Sequence, residues 1–215
     1  MKQEINTFMK KFLPFIFLIS APALASTNQL DFMWGRGTPL NSIQAQGSAE
    51  RDGLRGSFWA FDAMHHISNQ LYLGVGIGHF TSADNNSATF IPNANSIIDS
   101  RKTSSLLLGR MDLIPGGRWV PYAIAGAGWV KNSLTVTSDQ GTLVDDSKST
   151  LGYAGGLGLD LILGDRLLIG IEARYEGSLA QTFGMTPTGV AASGQTGVRT
   201  SLNLFLVGLK AGVKY

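Results

Sequence analysis

Few side chains in this sequence stand at spacings that could do chemistry. The string His65-His66-Ile67-Ser68-Asn69 follows Asp62 and offers a hydroxyl, an imidazole and a carboxylate. A nucleophilic serine needs a base within hydrogen-bond reach and a group that orients that base. His66 and Ser68 share one face of an extended segment. Asp62, four residues before His66, would lie about 13 Å away along the strand and could not orient the ring directly. Asn69 ahead of a new apolar run reads as ordinary turn chemistry. His79 stands alone, and three histidines without any cysteine do not make a transition-metal ligand set. Asp145-Asp146 read as a solvated acidic loop rather than a cation site. The glycine-rich runs lie within strand-like segments rather than ahead of helices, so a dinucleotide reading fails. No catalytic residue, metal site or cofactor is expected.

The elements around these residues say more. Charged residues make up only 15% of the 215, glycine is abundant at 27, and cysteine is absent, which gives no support to a disulfide scaffold. Residues 1–25 read as a cleaved export signal: Lys10 and Lys11, the apolar run Phe12–Ile19, then Ala23-Leu24-Ala25. Its removal takes three lysines and one glutamate, so the net charge of +2 becomes zero, with no basic footprint for nucleic acid. Residues 26–215 then form one domain.

No later stretch offers 18 consecutive apolar residues. What recurs is alternation with a period of two, in eight segments: 28–37, 56–64, 70–81, 104–113, 119–133, 149–162, 166–177 and 200–215. In the last, Phe205, Val207, Leu209, Ala211, Val213 and Tyr215 share one face, and Lys210 and Lys214 the other. In the seventh, Leu167, Ile169, Ile171, Ala173 and Tyr175 oppose Glu172, Arg174 and Glu176. In the fourth, Leu107, Met111 and Leu113 oppose Arg110 and Asp112; in the sixth, Leu151, Tyr153, Leu157, Leu159 and Leu161 oppose Asp160. A continuous apolar face backed by charges and glycines is what a lipid-facing strand needs, and in hydrocarbon such a sheet must close on itself. Phe205 and Tyr215 lie about 34 Å apart along a strand, or roughly 26 Å along the axis of a barrel tilted by about 40°. That fits the apolar band of an outer-membrane barrel. Trp119, Trp129, Tyr175, Phe205 and Tyr215, with Tyr122, Trp59 and Phe61, are candidates for its aromatic girdles.

Connections alternate in length. Residues 65–69, 114–118 and 163–165 are short turns; 38–55, 82–103, 134–148 and 178–199 are long, polar and loop-like. The expectation is an all-β, eight-stranded, antiparallel up-and-down transmembrane barrel, with long loops outside and short turns on the periplasmic side. An eight-stranded interior is just wide enough for side chains to fill. Asp62, Arg110, Asp112, Asp160, Glu172, Arg174, Glu176, Lys210 and Lys214 all have interior parity, so they should pair across strands as a polar core.

With its Ala23-Leu24-Ala25 signal end, its loop rhythm, its Leu73-Gly74-Val75-Gly76-Ile77-Gly78 strand and its terminal Leu209–Tyr215, the chain resembles the small outer-membrane barrels of the opacity-protein and OmpX/OmpA-barrel type. That resemblance implies residence in the outer membrane of a Gram-negative bacterium. It also implies that Leu209, Ala211, Val213 and Tyr215 form the signal read by the barrel assembly machinery, with Tyr in place of the more frequent Phe. The expected function is non-enzymatic: a cell-surface barrel whose long loops meet lipopolysaccharide, other envelope components or host ligands, amid outer-membrane lipids. The alternatives are a narrow porin-like channel for small or apolar solutes, a barrel enzyme, since His66-Ile67-Ser68-Asn69 resembles the His-x-Ser-Asn element of lipid A deacylases, and a soluble lipocalin-like binder with its apolar faces turned inward.

Overall fold

A computed structural model describes residues 28–40, 56–82, 88–91, 94–164 and 166–215. The proposed signal, residues 1–25, lies outside them. Among the described residues, eleven strands and one short helix follow in order: β1 (Gln29–Pro39), β2 (Gly56–Ser68), β3 (Leu71–Ser82), β4 (Ala88–Ile91), β5 (Ala94–Asp112), β6 (Trp119–Ser138), β7 (Gly141–Leu163), β8 (Leu167–Ser178), β9 (Gln181–Gly184), α1 (Pro187–Ser193), β10 (Gly197–Thr200) and β11 (Leu204–Lys214). Eight of them, β1, β2, β3, β5, β6, β7, β8 and β11, pair antiparallel in sequence order. The sheet closes where β1 meets β11, from Gln29 opposite Lys214 to Pro39 opposite Leu204. β4 extends the β5 edge, and β9 with β10 forms a separate hairpin.

The alternation read from sequence holds through the wall. Phe32, Trp34, Leu107, Leu157, Ile171 and Leu209 are exposed on the outer face, while Asp31, Met33, Leu108, Glu172 and Lys210 are buried inside. Side-chain period fixes this: a slip of one residue would exchange the two faces. The lipocalin-like alternative, with apolar faces inward, is therefore not the fold observed.

Four expectations need correcting. Residues 134–148 are not a loop: β6 runs to Ser138, β7 starts at Gly141, and the tip is Asp139-Gln140. The segment 82–103 contains β4 and the first half of β5, and 178–199 contains β9, α1 and most of β10. In β6, Ser133, Thr135 and Thr137 alternate with buried Leu134 and Val136, which makes an amphipathic strand with a hydroxyl-rich outer side, while in β5 Ser96 and Ser100 are themselves buried on the face of Ile98. Finally, β2 continues through Ser68, so the turn to β3 is Asn69-Gln70 rather than 65–69. The tight turns at 113–118 and 164–166 use Gly116 (φ 78°) and Gly164 (φ 64°), backbone that L side chains rarely adopt. Of the 38–55 connection, residues 41–55 lie outside those described.

Buried apolar side chains form three groups. Met64, Tyr72, Leu106, Leu108, Tyr122, Ile124 and Ala154 fill one part of the barrel interior. Met33, Phe58, Ala60, Phe80, Leu202, Leu204 and Leu206 fill its upper part beside β1, β2, β3 and β11. The third lies beyond the barrel, where Ile98, Leu134, Val136, Leu143 and Val144 of the extended β5–β7 sheet are covered by Phe183 and Val198 of the hairpin and by Met185 and Ala192. Helix α1 is delimited by its caps: Thr186 Oγ1 accepts from the Gly189 N–H, Pro187 opens the first turn, and Gly194 (φ 70°) ends it.

At the seam, Gly35 faces Gly208, and a Cβ on Gly35 would overlap the Val207 carbonyl and the Gly208 Cα. Gly35→Val should therefore lower stability by about 1–3 kcal/mol, seen as a lower denaturant midpoint of the folded, heat-modifiable species in detergent. Gly109→Ala, whose Cβ meets nothing nearer than 3.9 Å, should stay within about 0.5 kcal/mol.

Candidate functional site

Every interior charge anticipated from parity faces the lumen. Asp62, Arg110, Asp112, Asp160, Glu172, Arg174, Glu176 and Lys210 are buried; Lys214 is half-buried at the mouth that carries the short turns. They join into a ladder. At the short-turn end, Arg110 Nε donates to Asp112 Oδ1 at 2.8 Å and its Nη1 to Asp160 Oδ2 at 2.7 Å. Lys210 Nζ donates to the same Asp160 oxygen at 2.8 Å and lies 3.4 Å from Asp31 Oδ2, which also accepts from Gln29 Nε2 at 2.6 Å. The Tyr122 ring is clasped between two cations, with Arg110 Cζ 3.8 Å and Lys210 Nζ 4.1 Å from its centroid. Its hydroxyl donates to Glu172 Oε2 at 2.6 Å.

From Glu172 the ladder climbs. Arg174 Nε donates to Glu172 Oε1 at 2.6 Å and Nη2 to Asp62 Oδ2 at 2.5 Å, while Nη1 stands 3.9 Å from Glu176 Oε1. Lys102 Nζ is 3.8 Å from Glu176 Oε2 and donates to the carbonyls of Glu176 (3.0 Å) and Leu202 (3.2 Å). Asn132 Nδ2 then reaches Ser178 Oγ and Gln181 Oε1, tying the wall to the start of the β9–β10 hairpin.

Three carboxylates use glycine as a seat. Asp31 Oδ1, Asp62 Oδ1 and Asp160 Oδ1 have no hydrogen-bond partner among the described residues. Each lies where a Cβ on a neighbouring strand's glycine would be, on Gly212, Gly76 and Gly170 respectively. The carboxyl groups occupy space that only glycine leaves open, which explains several of the glycines on the charge-bearing faces.

Sequence reasoning missed four members of this network. Asp31 and Gln29 were given no parity. Lys102 fell in the supposed loop 82–103, although stepping by two from Arg110 reaches it. Tyr122 was taken for a girdle residue and is instead buried in the lumen. In β6, Val120, Tyr122 and Ile124 alternate with Pro121, Ala123 and Ala125, so both faces are apolar and parity is ambiguous without the partner strand. The pairing of Tyr122 with Asp112 resolves it. The remaining aromatics do face outward: Trp119, Trp129, Phe205, Tyr215, Trp59 and Phe61 are exposed, and Tyr175 lies half-buried against Tyr153. Leu209, Ala211, Val213 and Tyr215 form the outer face of β11.

Asp62, His66 and Ser68 do not assemble. Asp62 is held by Arg174, the His66 ring packs edge-on against Tyr72 at 4.9 Å between centroids, and Ser68 is exposed at the end of β2. His65 Nδ1 lies 2.6 Å from Asn28 Oδ1. His79 Nδ1 pairs with Thr103 Oγ1 at 3.0 Å on the outer face beside Trp59. Above the barrel, Asp146 Oδ2 accepts from the Gly184 N–H at 2.8 Å and from Lys148 Nζ at 3.0 Å. Slight burial opposes ionisation of its carboxyl, but the Gly184 N–H, Lys148 and the Ser147 N–H outweigh it and hold the group below the ordinary aspartate range.

Two outcomes follow. Arg174→Met leaves Asp62 without a partner among the described residues and Glu172 and Glu176 each with one fewer, and should cost about 3–5 kcal/mol, whereas Asp62→Asn should cost less; denaturant midpoints in micelles compare them. Because the folded-state pKa of Asp146 is depressed, its contribution to docking Gly184 is complete at neutral pH and is lost as pH falls through that pKa, below about 4. Hydrogen exchange at the Gly184 amide should accelerate there beyond its intrinsic pH dependence, and Asp146→Asn should remove that excess.

The outer membrane protein beta-barrel domain family matches residues 12–211. Among solved structures, the chain is similar in fold to Ail, the attachment invasion locus protein of Yersinia pestis, at TM-score 0.52 and 14% identity, covering 89% of this chain and 100% of that one. Neisserial surface protein A (NspA) is 15% identical at TM-score 0.46, covering 90% and 98%. OprG from Pseudomonas aeruginosa is 13% identical at 0.48, covering 88% and 97%. No curated protein matches in sequence. With residues 12–211 accounted for by one family and the wall closed as eight antiparallel strands, the chain belongs to the outer membrane protein beta-barrel domain family and is an outer-membrane protein.

Proposed function

We propose that this protein is a non-enzymatic barrel that presents its extracellular structure to lipopolysaccharide, neighbouring envelope components or host ligands. It is exported by a signal cleaved after Ala25, and Leu209, Ala211, Val213 and Tyr215 are read by the assembly machinery. One observation carries the reading: the lumen is filled along its length while the chain builds outward. Below, the Arg110–Asp160–Lys210 ladder spans the interior; above it, Phe58, Phe80, Leu204 and Leu206 are packed. Beyond the wall, β5–β7 continue as a sheet with its own apolar core, covered by β9, α1 and β10. A conduit would need the ladder and the apolar layer to move together. An interaction surface needs neither to move, and surface segments held by a rigid scaffold are where binding concentrates.

Two measurements test it. Purified protein in planar bilayers should stay silent across voltage, and reproducible conductance steps would move the reading to a channel. In the second, residues 185–196 are replaced by Asn-Gly, so that Gly184 and Gly197 close a two-residue hairpin. Cells displaying this trimmed chain should adhere at least tenfold less than cells displaying the full chain, on host-cell monolayers or immobilised envelope fractions, with heat-modifiable migration preserved. Equal adhesion sinks the loop reading.

A further inference from the structure

The outer face of β5–β7 changes character row by row. Cross-strand pairing sets the rows, each about 7 Å along the strand from the next. Leu107, Ala127 and Tyr153 share one row; Ser105, Trp129 and Leu151 the next. Then come Thr103, Lys131 and Ser149, then Arg101, Ser133 and Ser147, then Asp99, Thr135 and Asp145. Within about 28 Å of strand the surface passes from aliphatic through aromatic and cationic to hydroxyl and carboxylate. Leu107 and Trp129 are 58% and 66% exposed, as lipid-facing residues should be. Around the barrel, Arg36 lies in the same pairing row as Arg101, through Ser57 and Thr81.

The top two rows, with the neighbouring Asp146, enclose a shallow hollow of about 430 Å³, lined by Asp99, Arg101, Ser133, Thr135, Asp145, Asp146 and Ser147. Among the described residues no aliphatic or aromatic side chain lines it, so an apolar solute finds little there to bury against. Lys131, exposed directly above Trp129, has no ion pair among the described residues. Arg101 uses one nitrogen on Asp99 at 2.9 Å and is 60% exposed, so its other donors are available. Carboxylates and hydroxyls in the upper rows accept from and donate to sugar hydroxyls, while Arg101 at their lower edge and Lys131 one row beneath suit phosphate.

We infer that this wall is a docking site for one phosphorylated glycolipid of the outer leaflet. Its acyl chains lie on Leu107 and Leu151, its phosphate meets Lys131 and Arg101, and its sugars occupy the hollow between Asp99 and Asp145. The continuity of the face with the membrane band selects this occupant: a soluble saccharide has no use for the Trp129 row, and a glycerophospholipid ends below the hollow. The site rests on the outward presentation proposed above, but it lies on the wall rather than on the β9–α1–β10 cap.

The test uses the full chain in detergent micelles, with native mass spectrometry of retained lipid. The probes are bisphosphorylated lipid A carrying inner-core sugars, the same lipid dephosphorylated, and phosphatidylglycerol. The sugar-bearing phosphorylated lipid should be retained at least tenfold more strongly than either other probe. Lys131→Gln with Arg101→Gln should erase that preference, as should Lys131→Met alone in larger part; both positions lie on exposed strand faces, and heat-modifiable migration checks folding. Ser133→Val with Asp145→Val should reduce retention of the sugar-bearing lipid to that of bisphosphorylated lipid A lacking the inner core, run as a fourth probe. Equal retention of the three probes, or a preference untouched by the variants, overturns the site. The trimmed chain lacking 185–196 should keep its lipid preference, so loss of adhesion and loss of lipid retention report on separate readings.

Discussion

Backbone hydrogen bonding in hydrocarbon governs this molecule. Each unpaired N–H or C=O facing acyl chains costs several kcal/mol, so a sheet in the membrane cannot keep an edge. The pairing of β1 with β11 removes the last two edges. Once the sheet is closed, strand periodicity divides every wall residue between lipid and lumen, and the two faces follow opposite rules. Phe32, Trp34, Leu157 and Leu209 sit where a soluble protein would avoid them, and Arg110 and Arg174 sit where a soluble core would rarely admit them.

The interior answers a second constraint. A barrel of eight strands has no room for bulk water, so charges inside must satisfy one another. Arg110 bridges Asp112 and Asp160; Lys210 shares Asp160; Arg174 gathers Asp62, Glu172 and Glu176. Tyr122 joins the two halves by donating to Glu172 while its ring lies beneath Arg110 and Lys210. Glycine at 76, 170 and 212 makes space for the carboxylates, so the small residues of the wall and the charges of the lumen are a single packing solution. Towards the outside the composition changes to Phe58, Phe80, Leu204 and Leu206. Polar and apolar fillings thus divide the interior by level.

Above the bilayer the same strands obey different rules. There, water can serve the outer backbone edge, yet β5, β6 and β7 carry on because Ile98, Leu134, Val136 and Val144 keep an apolar stripe on the inner side. A stripe of that kind must be covered, and β9, α1 and β10 supply the cover, with Thr186 and the Asp146–Gly184 contact fastening it to β7. Among the described residues, nothing covers the outer side of the extension. It is hydroxyl-rich and charged, and it continues the aromatic rim downward into the lipid-facing wall.

Much of this was legible in the sequence because period-two alternation is a local property. Fold class, eight wall strands, the outward position of Trp119, Trp129, Phe205 and Tyr215, and the inward position of the nine charges all follow from counting by two. Extension of strands through 94–103 and 134–148 was hidden because Ser and Thr serve equally in loops and on either face of a strand: Ser96 and Ser100 are buried, while Thr135 faces outward. Only cross-strand register separates those uses. Which charge pairs with which is also beyond the linear sequence: Arg174 and Asp62 stand 112 positions apart, and Lys210 and Asp31 are 179 apart. Tyr122 shows the limit most plainly. With apolar residues on both faces of β6 its direction was undetermined, and the strand beside it, by setting Asp112 opposite, turned it into the lumen. The sequence by itself determined the periodicity; the tertiary structure decided the register, and register sets which side chains meet.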